Sequence, residues 1–245
     1  MSRRAGRLRD VTFTRAGVRH GFVAAQPLAA SVVLYGAVFG VLAGESGLSV
    51  ADAMLMSAFV YSGSAQLAAV EIGVAVALLP QLLLAVLLLN ARYLLYGAAL
   101  RPWLSRTTPA QAYASLFFNG DGSWALSMKE YAEGNRDAGY VFGAGFATYL
   151  PWVAGTAGGH LLGSWVPDPR ALGLDFMLVA FAAAIGVGAW RGRGDWIVVF
   201  VAALAALLVL RWLPGGWHIV AAGLAGAVIG ALRHRDSAGG APGHA

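Results

Sequence analysis

The stretch "LLLAVLLLNARYLLYGAAL", Leu82–Leu100, is long and apolar enough to be a helix in lipid, yet Asn90 and Arg92 interrupt it and Tyr93 and Tyr96 follow. If Arg101 marks the end of that helix, Asn90 lies eleven residues before it, about 16 Å at a rise of 1.5 Å per residue. That is near the middle of a hydrocarbon core about 30 Å thick, and Arg92 is about 13 Å deep by the same rise. An arginine at such depth costs from about 3 to more than about 10 kcal/mol unless it faces protein, water or a counter-charge. Two readings follow: a structural ion pair between helices, or a site for the carboxylate of a small substrate. Arg92 and Tyr96 are four residues apart and share a helix face.

The rest of the chain agrees with a membrane setting. Its 245 residues are 58% hydrophobic and only 12% charged, with a mean hydropathy of +0.66; a soluble domain carries about 25% charged residues. There is no cysteine, which excludes disulfides and thiolate metal sites. The net charge of +5 comes almost entirely from arginines, Lys129 being the single lysine. They cluster at the ends of apolar runs, the pattern of a membrane protein with positive residues inside, so nucleic acid is rejected as a partner.

The basic start, residues 1–20, reads as a cytoplasmic tail leading into a retained first span, residues 21–232 as the transmembrane domain, and residues 233–245 as a disordered cytoplasmic tail. Apolar runs predict full spans at Gly21–Gly44, Val74–Ala98, Gly139–Gly163, Leu174–Trp190, Trp196–Trp212 and Trp217–Leu232. The short connections between the last three imply antiparallel neighbours. Two further segments are broken by small polar residues: Ser49–Gly73 at "YSGSAQ" and Pro109–Ala132 at "FFNGDGSWAL". The expected fold is therefore an all-α polytopic bundle of six spans plus two broken or re-entrant segments, the alternative being eight spans, with both termini cytoplasmic. The six-span arrangement puts Arg101 and Arg106 inside with the other clusters and is preferred on charge. Glycines four residues apart (Gly36, Gly40 and Gly44; Gly139/Gly143; Gly159/Gly163; Gly226/Gly230) predict close helix packing.

A helix that restarts after "YSGSAQ" would aim backbone N–H groups at an anion, which makes Ser62, Gly63 and Ser64 candidates for substrate binding; the alternative is a glycine kink with serines bonding back to the helix. Gln66 and Glu71 are read as lying on nearly one face of that helix. Glu71 is then a proton carrier, a partner for Arg92, or a solvated carboxylate. Asp121, between two glycines, is either a turn residue or an intramembrane carboxylate that exchanges protons. Asp175 at a span start is a helix cap, a solvated charge or a second proton-coupling group. His160 reads as structural. Trp152, Trp165, Trp190, Trp196, Trp212 and Trp217 read as an aromatic belt. No phosphate-binding loop, metal-ligand spacing or cofactor motif occurs, so no cofactor or metal is expected.

Five stretches in register, "MSAFVYSGSAQLAAV" (Met56–Val70), "LLLNARYLLYGAAL" (Leu87–Leu100), "DGSWAL" (Asp121–Leu126), "YLPWVAGTAGGHLLG" (Tyr149–Gly163) and "LGLDFMLVAF" (Leu172–Phe181), resemble the AzlC family, the large subunit of branched-chain amino-acid exporters. The resemblance implies a plasma-membrane protein that exports apolar amino acids, driven by protons, together with a small apolar AzlD-type subunit. The family-matching polar positions Ser62, Ser64, Gln66, Asn90, Arg92 and Thr156, together with Gly63 and Tyr96, are the expected substrate-binding residues, and Asp121, Glu71 and Asp175 the expected proton-coupling ones. Where members carry an Asp-Glu pair, this chain has Asp121-Gly122. Two other classes remain as alternatives: a non-transporting channel or scaffold, and an intramembrane serine hydrolase built on Ser62 or Ser64 with His160.

Overall fold

The computed structural model describes residues 11–73, 79–163, 194–213 and 217–239, with isolated positions 165, 173, 176, 183, 187, 190 and 192. Among them the chain is helical, apart from one isolated bridge between Thr12 and Asp137. The helices are α1 (Arg15–Ala24), α2 (Gln26–Glu45), α3 (Val50–Leu55) running into a π-helical turn (Met56–Val60), α4 (Gly63–Ile72), α5 (Leu79–Asn90), α6 (Arg92–Leu104), α7 (Pro109–Phe117), α8 (Asp121–Ala132), α9 (Gly139–Gly163), α10 (Asp195–Trp212) and α11 (Trp217–Gly239). Three are long and apolar enough to cross a membrane: Gln26–Glu45, Leu79–Leu104 taken through its break, and Asp195–Trp212. The expected span Leu174–Trp190 falls almost entirely outside the described residues.

The chain divides into two compact units, Met1–Gly63 with Tyr93–Asp168, and Ser64–Arg92 with Pro169–Ala245. The first is built on α9, with α1 and α2 laid end to end along it. Here the glycine spacing has its predicted effect. A Cβ at Gly143 or Gly155 would overlap the carbonyl oxygens of Val18 or Val33, and one at Gly40 or Gly159 those of Thr156 or Ala37. Only hydrogen atoms let backbones approach this closely. The spacing is weaker evidence in α11, where Gly226 faces Ala202 at ordinary contact distance and Gly230 faces open space.

The first helix differs from its expected bounds. It begins at Arg15, capped by the Thr14 hydroxyl on the Gly17 N–H at 3.0 Å, and breaks at Ala25, just before Pro27. Proline has no N–H to continue the ladder and its ring clashes with the carbonyl four residues back. The residues before α1 dock on the start of α9: Thr12 exchanges backbone hydrogen bonds with Arg136 and Ala138 (3.1 and 2.7 Å), and Thr14 donates its N–H (3.0 Å) and its hydroxyl to Asp137.

At this end Trp103, near the close of α6, lies 5.3 Å from Tyr131 at the close of α8 and 6.5 Å from Tyr140 on α9. Val11 and Phe13 pack on the same cluster, and His20 of α1 is 4.0 Å from Glu130. So α7, which starts six residues after Trp103, and α8, which ends beside it, form a hairpin with both feet at one end of the unit. Its tip is the break at Phe118–Gly120. The Phe118 ring packs on Phe142, Phe146 and Tyr149 of α9, at 5.5, 5.4 and 4.8 Å between centroids. Tyr149 lies ten residues past the start of α9, about 15 Å along it, half the thickness of a hydrocarbon core.

The α3 segment comes from the opposite end. Ser49 and Asp52 form a capping box at its start, and His160 Nε2 bonds the Leu48 carbonyl at 2.8 Å, the structural role expected of that histidine. Trp152 departs from the belt reading. It is 4% exposed and packed between Tyr35 and Phe39, whereas Trp165, Trp196 and Trp212 are widely exposed as expected.

In the second unit α10 and α11 pair antiparallel, Gly194 at the start of one meeting Arg233 near the end of the other. Leu88 of α5 lies 3.5 Å from where a Cβ would stand on Gly223 of α11.

Candidate functional site

Three interruptions carry the polar residues that the sequence singles out. The first is the break in Ser49–Gly73. The π-helical turn ends at Tyr61 in the left-handed region (φ 43°, ψ 46°), a conformation rare for a bulky residue and frequent at functional sites. Side chains of α9 hold this segment down its length: Ser57 and Thr156 share a 2.7 Å hydroxyl bond, Tyr149 donates to the Ala58 carbonyl (3.1 Å), and Tyr61 bonds Thr148 (3.0 Å). Thr156 also donates to the Trp152 carbonyl (3.0 Å) and is fully buried, so its hydroxyl braces the turn. Sequence reasoning overlooked Ser57, Tyr61 and Thr148. The signal was present in Thr148, Trp152 and Thr156, a four-residue stripe with hydrogen-bonding groups on an otherwise apolar helix.

The second is the hairpin tip. Asn119 is buried, and Ser123 Oγ accepts the Gly120 N–H at 2.8 Å, which caps α8. Asp121 opens α8 and accepts the Tyr96 hydroxyl at 2.8 Å; the Tyr96 ring stacks on Trp124 at 4.4 Å and 13°. The carboxylate also sits where a helix N-terminus favours negative charge. The substrate-binding candidate Tyr96 is thus hydrogen-bonded to the proton-coupling candidate Asp121. The position after Asp121 is glycine, and the Leu28 side chain fills the space where a larger residue would point.

These two breaks meet. Tyr61 OH is 3.6 Å from where a Cβ would stand on Gly120, and both breaks lie beside residues 145–149 of α9. Tyr93 of α6 completes the arrangement by donating to the Tyr61 carbonyl at 3.5 Å. One segment descends from each end of α9, and they meet halfway.

The third interruption is absent from the sequence expectation. Val74–Ala98 was read as one span, but the helix breaks at Ala91, between α5 and α6. Asn90 and Arg92 flank the break. In the second unit Arg92 donates from Nη2 to Ser64 Oγ at 2.9 Å, on the first turn of α4. The Asn90 Oδ1 is buried without a hydrogen-bond partner among the described residues.

Ser62, the residue before α4, is 1% exposed, and its Oγ likewise has no partner among the described residues. That contrasts with Thr14, Ser49 and Thr108, whose hydroxyls each accept a backbone N–H of their own helix. Gly63 fits between Tyr35 and Trp152, 2.7 and 3.0 Å from where its Cβ would be. Gln66 is fully buried and Glu71 exposed. The expectation that they share a face fails because five residues turn a helix by about 140°. Asp175 lies outside the described residues. Among those residues no group of three or more His, Asp or Glu side chains is placed to hold a metal.

A chain whose described residues are helical, with three apolar helices of membrane length, is an integral membrane protein. Residues 27–166 match the family described as AzlC protein, and the chain belongs to that family. It is 27% identical over 176 residues to the branched-chain amino acid transport protein AzlC of Bacillus subtilis (strain 168), covering 71% of this chain and 68% of that one. It is 29% identical over 214 residues to an uncharacterized membrane protein of Archaeoglobus fulgidus, covering 86% and 93%. With an uncharacterized membrane protein of Helicobacter pylori (strain 26695) it shares 23% over 180 residues, 72% and 78%. No solved structure matches the chain. The family is a transport family.

Proposed function

We propose that this protein is the large subunit of a secondary exporter that moves branched-chain or other apolar amino acids out across the plasma membrane, driven by protons and working with a small apolar AzlD-type subunit. The observation that carries the reading is the meeting of two interrupted segments halfway along α9, one from each end, with Tyr61, Asn119 and Asp121 at the breaks. Interrupted helices near the bilayer midplane are how transporters build an occludable site from backbone and a few side chains.

Arg92 and the first turn of α4 receive the substrate carboxylate. The guanidinium already bonds Ser64 there, and the turn offers N–H groups with a positive dipole end. Gln66 and Asn90 in the second unit and Asp121 in the first are the candidates to meet the ammonium group, and Ser62, Gly63 and Thr156 are further candidates for substrate binding. Asp121, held by Tyr96, exchanges the proton; Asp175 remains a candidate for a second coupling carboxylate and Glu71, being exposed, for a surface one. The end of the first unit that carries Arg15, Arg19, Arg101, Arg106 and Arg136 faces the cytoplasm, which makes the α7–α8 hairpin re-entrant from that side.

The test is counterflow and efflux of labelled valine in vesicles holding the chain with its small partner, across a range of pH. Arg92→Ala is expected to abolish transport at unchanged membrane insertion; full transport by that variant overturns the role given to Arg92.

A further inference from the structure

Tyrosine hydroxyls around the two breaks of the first unit do different work. Tyr61 bonds the Thr148 hydroxyl, Tyr93 the Tyr61 carbonyl and Tyr149 the Ala58 carbonyl, and these bonds brace the interrupted backbone. Tyr96 donates to an ionisable group, Asp121 Oδ1, at 2.8 Å. We propose that Tyr96 is a positioning residue for proton exchange: its hydroxyl holds the Asp121 carboxylate in the orientation in which it takes up and releases the coupling proton. The inference rests on the transport reading above, with Asp121 as the coupling carboxylate, and adds to it a residue that acts through that carboxylate.

Asp121 stands between Gly120 and Gly122, so neither neighbour in sequence has a side chain to limit its rotation. Tyr96 supplies a restraint from α6, and Trp124 sets Tyr96 in turn. The Tyr96 ring stacks on Trp124 at 4.4 Å and 13°, and Tyr93 packs nearly perpendicular to it at 5.6 Å and 89°. Trp124 lies three residues after Asp121 on α8, on the same helix face, so stacking there carries the phenol to the carboxylate. Packing fixes the ring and the bond fixes the hydroxyl, as is needed of a group that must orient a reacting atom. Tyr61 of the π-helical turn is a further titratable group within electrostatic reach of Asp121.

The coupling proton passes from water to an Asp121 oxygen on one side of the membrane and back to water on the other, and the phenol keeps its own proton throughout. The bond from Tyr96 is charge-assisted while Asp121 is ionised and loses that strength once the carboxyl is protonated. It is therefore re-formed each time the proton leaves, and it restores the same orientation. Phenylalanine at 96 keeps the ring, and with it the stack on Trp124, but lacks the donor. A role confined to packing survives that change; a positioning role does not. A hydrogen bond to a charged group is worth about tenfold or more in an equilibrium, so its loss is readable.

The experiment uses vesicles holding the chain with its small partner. It compares labelled-valine counterflow, which moves no net proton, with the acceleration of net efflux by an imposed pH gradient, for wild type, Tyr96→Phe, Asp121→Asn and the two substitutions combined. The expected result for Tyr96→Phe is a ratio of accelerated efflux to counterflow about tenfold below wild type, and the combined variant has the same ratio as Asp121→Asn alone, as two residues acting through one group require. A wild-type ratio in Tyr96→Phe, whether both activities are intact or equally reduced, overturns the positioning role, and so does a combined variant that falls below Asp121→Asn. A wild-type ratio in Asp121→Asn, or a wild type whose efflux does not respond to the gradient, overturns proton coupling at Asp121 in the transport reading, and the positioning role with it.

Discussion

At the scale of single residues, polar groups inside apolar helices have divided into two kinds of work. Thr148, Thr156 and Tyr149 bond the π-helical turn and Tyr61 to α9. Thr156→Val is therefore expected to keep substrate affinity while lowering stability by about 1 kcal/mol, because it removes the hydroxyl bond to Ser57; unfolding in detergent followed by tryptophan fluorescence checks this. Tyr96 and Asp121 hold each other at the start of α8. If Asp121 exchanges the proton, Asp121→Asn keeps valine counterflow, which moves no net proton, and loses the acceleration of net efflux by an imposed pH gradient. Loss of both activities together would instead make Asp121 a structural residue. Arg92 was visible in the sequence as a cation about 13 Å deep by helix rise; that Ser64 is among its partners was not, since a residue 28 positions away comes close only through the turn between helices.

At the scale of elements, the decisive feature is where helices stop. Pro27 ends α1 and Thr108 with Pro109 starts α7, each legible from local chemistry. The breaks at "YSGSAQ" and "FFNGDGSW" were legible too, because small and polar residues weaken a helix in any context. The break at Ala91 was not. Asn90 and Arg92 flank it within a leucine-rich run, but no glycine or proline marks it, and the two polar residues signal burial more than a helix stop. The close packing of α9 on α1 and α2 yields a sharp comparison between neighbours. Gly159→Ala is expected to destabilise by about 1–3 kcal/mol through overpacking, while Gly158→Ala, which faces open space, is neutral or better. Thermal unfolding of the two variants in one detergent checks the contrast.

At the scale of the molecule, the orientation proposed above rests on which helix ends of the first unit share a place. Trp103, Tyr131, Tyr140 and the docked segment from Val11 bring Arg101, Arg106 and Arg136 to the end where α1 begins. The chain has no cysteine, so single-cysteine variants have a clean background. Ser105→Cys and Glu133→Cys are expected to react with an impermeant maleimide from the cytoplasmic face only, and Ser46→Cys from the other. Labelling of Ser105 and Glu133 from opposite faces would sink the re-entrant hairpin.

By itself the sequence determined the membrane setting, the helical class, the glycine-packed helix pairs, the two glycine-rich breaks and the family, because each depends on composition or short-range spacing. Only the tertiary structure decided that the α3 segment and the α7–α8 hairpin reach the same level of α9 from opposite ends, and that their tips meet there. The physical reason is one of range. Local chemistry says that a helix must stop, but a break becomes a site only when another break, far away in the chain, is carried to it by the packing of the helices between them.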